Sequence, residues 1–151
     1  MRKTMMLATV AVLMTMAGGA YAAEIEVKML NKGAEGVMVF EPALVKITPG
    51  DTVKFIATDK GHNAETIKGM LPAEAAPFLG KNGENVAVTF DKPGVYGVKC
   101  LPHYGMGMVA IVVVSTPDNV DVAKSVAQPG KAKQVMAGLF EKLAVARTAE
   151  K

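Results

Sequence analysis

Between residues 24 and 114, the sequence consists of short segments in which apolar and polar side chains alternate, separated by turn-forming residues. In Glu24–Leu30, the apolar residues Ile25, Val27 and Met29 alternate with charged ones, which predicts a strand with one buried face. The same reasoning predicts strands at 37–40, 43–48, 52–58, 86–90 and 95–100, and turns at 31–33, 49–51 and 91–94. Strands of this length and spacing predict a mainly β protein with a Greek-key β-sandwich.

The end of the sandwich and the tail have different patterns. Met108–Val114 is apolar throughout and rich in β-branched residues, which predicts a central, buried strand. Val120–Ala127 and Ala132–Thr148 then show helical spacing, and Asp118 is in position to cap the first of these helices. A helical turn is also expected within 70–76, where a proline lies near its start. We expect the two tail helices to pack on the sandwich.

The N-terminus has the features of a secretory signal peptide. Arg2 and Lys3 precede an apolar run, and Ala20-Tyr21-Ala22 is a small-x-small cleavage sequence. Residues 1–22 are therefore predicted to be cleaved, and a membrane anchor is disfavoured because the run is shorter than the ~20 residues that a span requires. Residues 23–151 would form one domain, with the sandwich over 23–116 and a helical extension over 117–151.

The mature chain would carry almost no net charge. Removal of Arg2 and Lys3 from the 17 basic residues leaves 15, against 14 acidic residues, for a net charge of +1. This balance does not support binding to nucleic acid or to an anionic membrane surface. Recognition of a charged partner would have to depend on how the lysines are distributed.

Export makes the single cysteine informative. Cys100 is the only cysteine, so an exported chain has no internal disulfide. An exposed free thiol would be oxidised in an oxidising compartment. Cys100 is therefore expected either to be buried and inert or to be occupied by a ligand.

Several potential metal ligands lie close together around Cys100, in the segment Lys99–Met108 (KCLPHYGMGM). His103 is three residues after the cysteine, Met106 and Met108 follow, and His62 lies at the end of an earlier predicted strand. Strand ends gather at one pole of a sandwich, so His62 can join the loop. Two imidazoles, a thiolate and a weak thioether are the ligands of blue-copper electron-transfer sites. Zinc is a weaker candidate because the Irving–Williams order favours copper.

Three other functions are considered. A Cys/His hydrolase needs a group that orients the imidazole, and no acidic residue lies between Asp91 and Asp118. A copper enzyme such as a nitrite reductase needs further histidines for a second copper, and the sequence has two in total. A copper carrier or buffer stays open, although carriers commonly use exposed, flexible sulfur ligands.

The same residues resemble those of the cupredoxins, and within them the pseudoazurin branch. The resemblance is carried by Ile25–Gly36, Met38-Val39-Phe40-Glu41-Pro42, Asp59–Asn63, Lys99–Met108 and the two-helix tail that follows Val114. It implies a cupredoxin-like fold and one copper ion per chain, cycling between Cu(I) and Cu(II). It also implies four metal ligands: His62, Cys100, His103 and Met108. Met106 competes for the axial position, but its flanking glycines allow it to turn outwards.

The resemblance further implies a monomeric periplasmic one-electron carrier rather than an enzyme. Electrons would come from c-type cytochromes and pass to a denitrification reductase such as copper nitrite reductase; a periplasmic copper carrier or buffer is the alternative. Met38, Pro102 and Met106 would surround the exposed edge of His103 as an electron port. Asn63 would tie the two ligand segments together. Lysines near the port would steer an acidic partner, with candidates at Lys32, Lys60, Lys68, Lys81 and Lys99.

Overall fold

The computed structural model describes residues 21–149, and within them the chain forms eight β-strands followed by two α-helices. The strands are β1 (Glu24–Gly33), β2 (Gly36–Glu41), β3 (Leu44–Ile47), β4 (Asp51–Ile56), β5 (Glu65–Thr66), β6 (Val86–Phe90), β7 (Gly94–Lys99) and β8 (Val109–Val114). The helices are α1 (Val120–Ser125) and α2 (Ala132–Ala149), and a 3₁₀ helix spans Leu101–Met106. The predicted signal peptide lies outside the described residues except for its last two positions.

The strands form two mixed sheets of four strands each. The first sheet has the order β2-β1-β4-β6, in which β1 and β4 are parallel and the other neighbours are antiparallel. The second has the order β3-β8-β7-β5, in which only β3 and β8 are parallel. The predicted Greek-key β-sandwich with two C-terminal helices is confirmed.

Strand β8 is buried on both faces. Ala110, Val112 and Val114 point into the core between the two sheets. The alternate residues of β8 pack beneath the helices, in a second core that includes Met136 and Leu139 of α2. This explains why the strand has no polar residue: the tail helices cover the face that water would otherwise reach. Neither helix among residues 21–149 is long and apolar enough to span a bilayer.

The core between the sheets extends to the pole where the candidate ligands lie. Cys100 and Met108, at the ends of β7 and β8, belong to this core and are fully buried. Edge-to-face and stacked contacts join five aromatic rings in the same core, which contributes packing energy beyond the area that they bury. These rings are Phe40, Phe55, Phe78, Phe90 and Tyr96.

Three local predictions are wrong. The first hairpin turns at residues 34–35 rather than 31–33, because β1 continues to pair with β2 as far as Gly33 and Gly36. Residues 70–76 form no helix; Glu74 has a φ of +61°, which an α-helix does not contain. Asn119, not Asp118, precedes α1, and its side chain bonds both backbone groups of Val95 in β7 instead of capping the helix.

Candidate metal centre

Two chain segments meet at one pole of the sandwich. The upstream corner, residues 59–64, follows β4 and leads into β5. The downstream loop, residues 100–108, joins β7 to β8. Strand β5 pairs with β7 so that Glu65 lies opposite Lys99, and this register places the corner directly beside the loop.

Three candidate ligand atoms face each other between these segments. Nδ1 of His62, Sγ of Cys100 and Nδ1 of His103 all lie within 4.8 Å of one another. The two nitrogens are 3.1 Å apart, and the sulfur is 3.7 Å from His62 and 3.5 Å from His103. His62 and Cys100 are fully buried, whereas His103 is partly exposed.

A hydrogen bond on the far side of the His62 ring determines which of its two nitrogens carries the proton. The other nitrogen, which faces the cluster, then has a free lone pair. Nε2 lies 2.9 Å from Oδ1 of Asn31, and an amide oxygen only accepts, so Nε2 carries the proton. Nδ1 of the neutral ring then presents its lone pair to Cys100 and His103. Asn31 is itself held, because its N–H donates to Oδ2 of Asp59 at 2.7 Å. This is how proteins fix the orientation of metal-binding imidazoles.

The thiol of Cys100 lies in a site that disfavours its charged form unless a cation is present. Burial raises the pKa of Cys100; hydrogen bonds from the Asn63 and His103 backbones oppose this, and the charge of Glu65 adds to it. Burial also lowers the pKa of His62, assisted by His103 and opposed by Asp59. Without a metal, both groups therefore favour the neutral state, and a bound cation would supply the charge that stabilises the thiolate.

The two methionines of the loop have different environments. Met108 is fully buried, its carbonyl accepts from the N–H of Cys100 at 3.0 Å, and its N–H donates to the carbonyl of His103 at 3.2 Å. Met106 is 47% exposed. The chain turns between them at Gly107, whose φ of +95° suits glycine and where an added side chain would meet Val135 of α2. Met108 is therefore buried in the same core as Cys100, whereas Met106 faces solvent.

Asn63 joins the two segments directly. Its Oδ1 accepts a hydrogen bond of 2.7 Å from the N–H of Leu101, next to Cys100. Its Nδ2 donates to Oε2 of Glu65 at 2.9 Å and to the carbonyl of Gly80 at 3.1 Å. The side chain is buried, so each of these bonds replaces one that water would have made.

Around the partly exposed His103, the loop presents apolar groups to solvent. Pro102 and Met106 are exposed, together with Leu101. Met38 is half-buried on β2, with a positive φ of +52°. Lys99 is half-buried and paired with Glu65, unlike the other lysines that the sequence suggests for partner steering, which are exposed: Lys32, Lys60, Lys68 and Lys81.

The family model that describes copper-binding proteins of the plastocyanin/azurin family matches residues 27–115, more than half of the chain. A pseudoazurin from Paracoccus pantotrophus is 49% identical over 130 residues, covering 85% of this chain and 90% of that protein. A pseudoazurin from Methylorubrum extorquens is 56% identical over 120 residues, covering 79% and 81%. The crystal structure of pseudoazurin from Methylobacterium extorquens superposes with a TM-score of 0.77 at 53% identity, covering 80% of this chain and 98% of that one. The chain belongs to the pseudoazurins.

The geometry fits the copper that this family binds. Imidazole nitrogens suit Cu(II), and a thiolate suits Cu(I). In this pseudoazurin, two such nitrogens and one sulfur lie within 4.8 Å of one another. Two imidazole nitrogens and a thiol at these distances can all bind one shared cation, so copper is the cofactor that the cluster accommodates.

Several residues that support the site in this pseudoazurin were not expected from the sequence. Asn31, which orients His62, lies in the segment predicted as a turn, and nothing in its neighbours indicates a contact 31 residues away. Glu65 and Lys99, which pair at 3.3 Å beside the cluster, lie on a two-residue strand and at the end of β7. A strand of two residues has no periodicity from which such a pairing could be predicted.

Proposed function

We propose that this chain is a periplasmic one-electron carrier whose type 1 copper is held by His62, Cys100, His103 and Met108. When bound, copper supplies a one-electron couple between Cu(I) and Cu(II). The protein contributes the ligands, excludes water from all but one side and presents that side to partners. The proposal includes no catalytic role, because both histidines of the sequence belong to this one site and none is left for a second metal centre.

The observation that carries the proposal is the convergence of the His62, Cys100 and His103 ligand atoms within 4.8 Å, with only His103 reaching solvent. A ligand set that is held in place on one side and open on the other suits electron transfer. Fixed ligands need little rearrangement between oxidation states, and the exposed imidazole edge offers a short path to a partner.

The framework around the ligands also supports a rigid site. Asn31 fixes the His62 ring, Asn63 ties the corner to the loop, and Met108 is bonded through its backbone to Cys100. A copper carrier or buffer, which must release its metal, would gain little from such constraints. We therefore favour the electron carrier over the metal carrier.

Partner and compartment belong to the same proposal. The predicted signal peptide, residues 1–22, would place the mature monomer in the periplasm. There, c-type cytochromes would reduce it, and a denitrification reductase such as copper nitrite reductase would oxidise it. The apolar port formed by Met38, Pro102 and Met106 around His103 would make the contact, and nearby exposed lysines would steer an acidic partner.

The direct test is the visible and EPR spectrum of the copper-loaded mature protein. Intense visible absorption that vanishes on chemical reduction and returns on oxidation is expected. The Cys100→Ala variant should lose this absorption, because the thiolate is its source, while Ser125→Ala, a control on the exposed end of α1, should keep it. A colourless Cu(II) complex of the wild type would rule the proposal out.

A second experiment separates the electron carrier from the metal carrier. The copper-loaded protein is cycled between oxidation states in the presence of a competing chelator, and copper content is measured after each cycle. Retention of copper over many cycles supports electron transfer. Loss of copper to the chelator in the reduced state would instead support the carrier.

A further inference from the structure

An ion pair that is largely shielded from water lies beside the candidate metal centre. Glu65 and Lys99 face each other across β5 and β7, with Nζ and Oε1 3.3 Å apart. Their side chains are only 11% and 19% exposed. Taking two charges out of water is costly, and the attraction between them often does no more than offset that cost. A stabilising role alone is therefore a weak explanation for a pair in this position.

The carboxylate of the pair is linked to the ligand segments by hydrogen bonds. Oε2 of Glu65 accepts from the Asn63 side chain at 2.9 Å, and the same side chain accepts from the N–H of Leu101 at 2.7 Å. Asn63 follows His62 in the chain, and Leu101 follows Cys100.

The ammonium of the pair is enclosed on its other side. Nζ of Lys99 lies 5.0 Å from the centre of the Tyr104 ring, an arrangement that favours a cation. The hydroxyl of Tyr104 in turn donates to Oε1 of Gln128 at 2.7 Å, which anchors the ring to the segment between α1 and α2. Lys99 therefore lies between a carboxylate and an aromatic ring, immediately before Cys100 in the chain, and its ammonium is largely shielded from solvent.

We propose that Glu65 and Lys99 act as positioning residues that set the reduction potential of the copper through their opposite charges. The inference rests on the proposed function, because it requires a redox-active ion at the cluster. The oxidised site carries one more positive charge than the reduced site. Glu65 thus favours the oxidised form and Lys99 the reduced form. Salt screens buried charges poorly, so both effects persist at high ionic strength.

The test measures reduction potentials of the copper-loaded mature protein for three variants: Glu65→Gln, Lys99→Met and the double variant. Glutamine keeps an oxygen that accepts from Asn63 but removes the charge. We expect Glu65→Gln to raise the potential, Lys99→Met to lower it, and the double variant to return close to the wild type. The absorption band should persist in all three, since no ligand is changed.

A matched control comes from the exposed ion pair between Glu24 and Lys54, on β1 and β4. Its atoms are 2.6 Å apart, and its side chains are 54% and 39% exposed. Glu24→Gln and Lys54→Met should leave the potential within experimental error of the wild type. Shifts of the same sign in Glu65→Gln and Lys99→Met, or shifts no larger than those of the control pair, would overturn the proposal.

A measurement on the metal-free protein provides an independent readout. In urea unfolding, each single variant should lower the midpoint more than the double variant does, because a single substitution leaves one buried charge without its partner. Additive effects would show that the two charges do not interact and would overturn the proposal. If Glu65→Gln does not fold, Lys99→Met and the double variant still test the sign of the shift. Failure of the proposed function is distinguishable, because the wild type itself would then lack the absorption band.

Discussion

The upstream corner and the downstream loop supply the candidate ligands in opposite ways. In the corner, His62 is fully buried, its ring is fixed by Asn31, and its carbonyl accepts from the N–H of Gly83 at 2.8 Å. In the loop, Cys100 and Met108 are equally buried, but Leu101 and Met106 between them are 56% and 47% exposed, and His103 is partly exposed. The corner exposes Lys60 and Gly61 but buries its ligand and the two residues that follow it, whereas the loop is buried at its ends and exposed in the middle.

This difference separates two requirements that a small redox protein must meet at once. Fixed ligand positions require buried, fully bonded groups, because solvent would allow alternatives. Contact with a partner requires exposed groups near the metal. The corner meets the first requirement and the middle of the loop meets the second, so the two do not compete for the same residue.

The largest effect is expected from removing one imidazole at a time. His62→Gly and His103→Gly should both abolish the intense absorption of the copper protein. Added imidazole should restore it in His103→Gly, because that void opens to solvent. It should not restore it in His62→Gly, whose void is enclosed. Absorption is measured while imidazole is titrated into each variant. Restoration in both variants would show that the void left by His62 is open to solvent.

The second-largest effect is expected from removal of the Asn63 hydrogen bond that joins the two segments. Asn63→Ala leaves the N–H of Leu101 without its partner in a part-buried position, and we expect a loss of about 1–3 kcal/mol in the free energy of unfolding. Denaturant unfolding measures the change. Asn85→Ala is the control, because the bond that Asn85 accepts from the N–H of Ala57 is exposed and water replaces it. Equal losses of unfolding free energy in both variants would show that the buried hydrogen bond of Asn63 contributes no more to stability than the exposed one of Asn85.

A smaller effect is expected at the open part of the loop. Met106→Glu should slow electron exchange with an acidic redox partner about tenfold, or ~1.4 kcal/mol in the barrier, while the absorption is unchanged. Stopped-flow mixing measures the rate. The control is Val145→Glu, an equally drastic change at an exposed position of α2. If the two variants exchange electrons equally fast, the loop is not the docking surface.

The smallest effect concerns pH. Burial, together with the nearby His103, lowers the pKa of His62 below 6.5 in the folded metal-free protein. The unfolded chain therefore binds a proton that the folded chain does not, so the free energy of unfolding should decrease as pH falls from above 6.5 through the lowered pKa. Urea unfolding at several pH values measures this slope. His62→Gln should flatten it, and an unchanged slope in that variant would assign it to other groups.

The candidate ligands could be predicted from the sequence because the choice was small. One cysteine and two histidines, each at or just after a predicted strand end, leave few ways to form a site. The strands were predictable for a similar reason, since burial of one face produces a period of two. Met108 could be preferred over Met106 because it begins an apolar run, and an apolar run must be buried.

The supporting contacts could not be predicted, because they depend on the register between distant segments. Asn119 illustrates this: its position suggests a turn or a cap, but its side chain completes the hydrogen bonds of Val95 on β7. Likewise, Glu65 and Lys99 meet only because two residues of β5 pair with β7. Local patterns carry no information on such pairings.

The double burial of β8 has a consequence for how this chain could vary. Val109, Ile111 and Val113 lie in the same buried cluster as Met136, Leu139 and Leu143 of α2. A shortened chain that ended at Ser115 would expose a strip of apolar side chains along the middle of a sheet. Exposed apolar surface of this kind favours self-association. A stable chain without the helices would therefore need hydrophilic side chains at all three of these positions of β8. Deletion of the helices alone, in a single step, would not give such a chain.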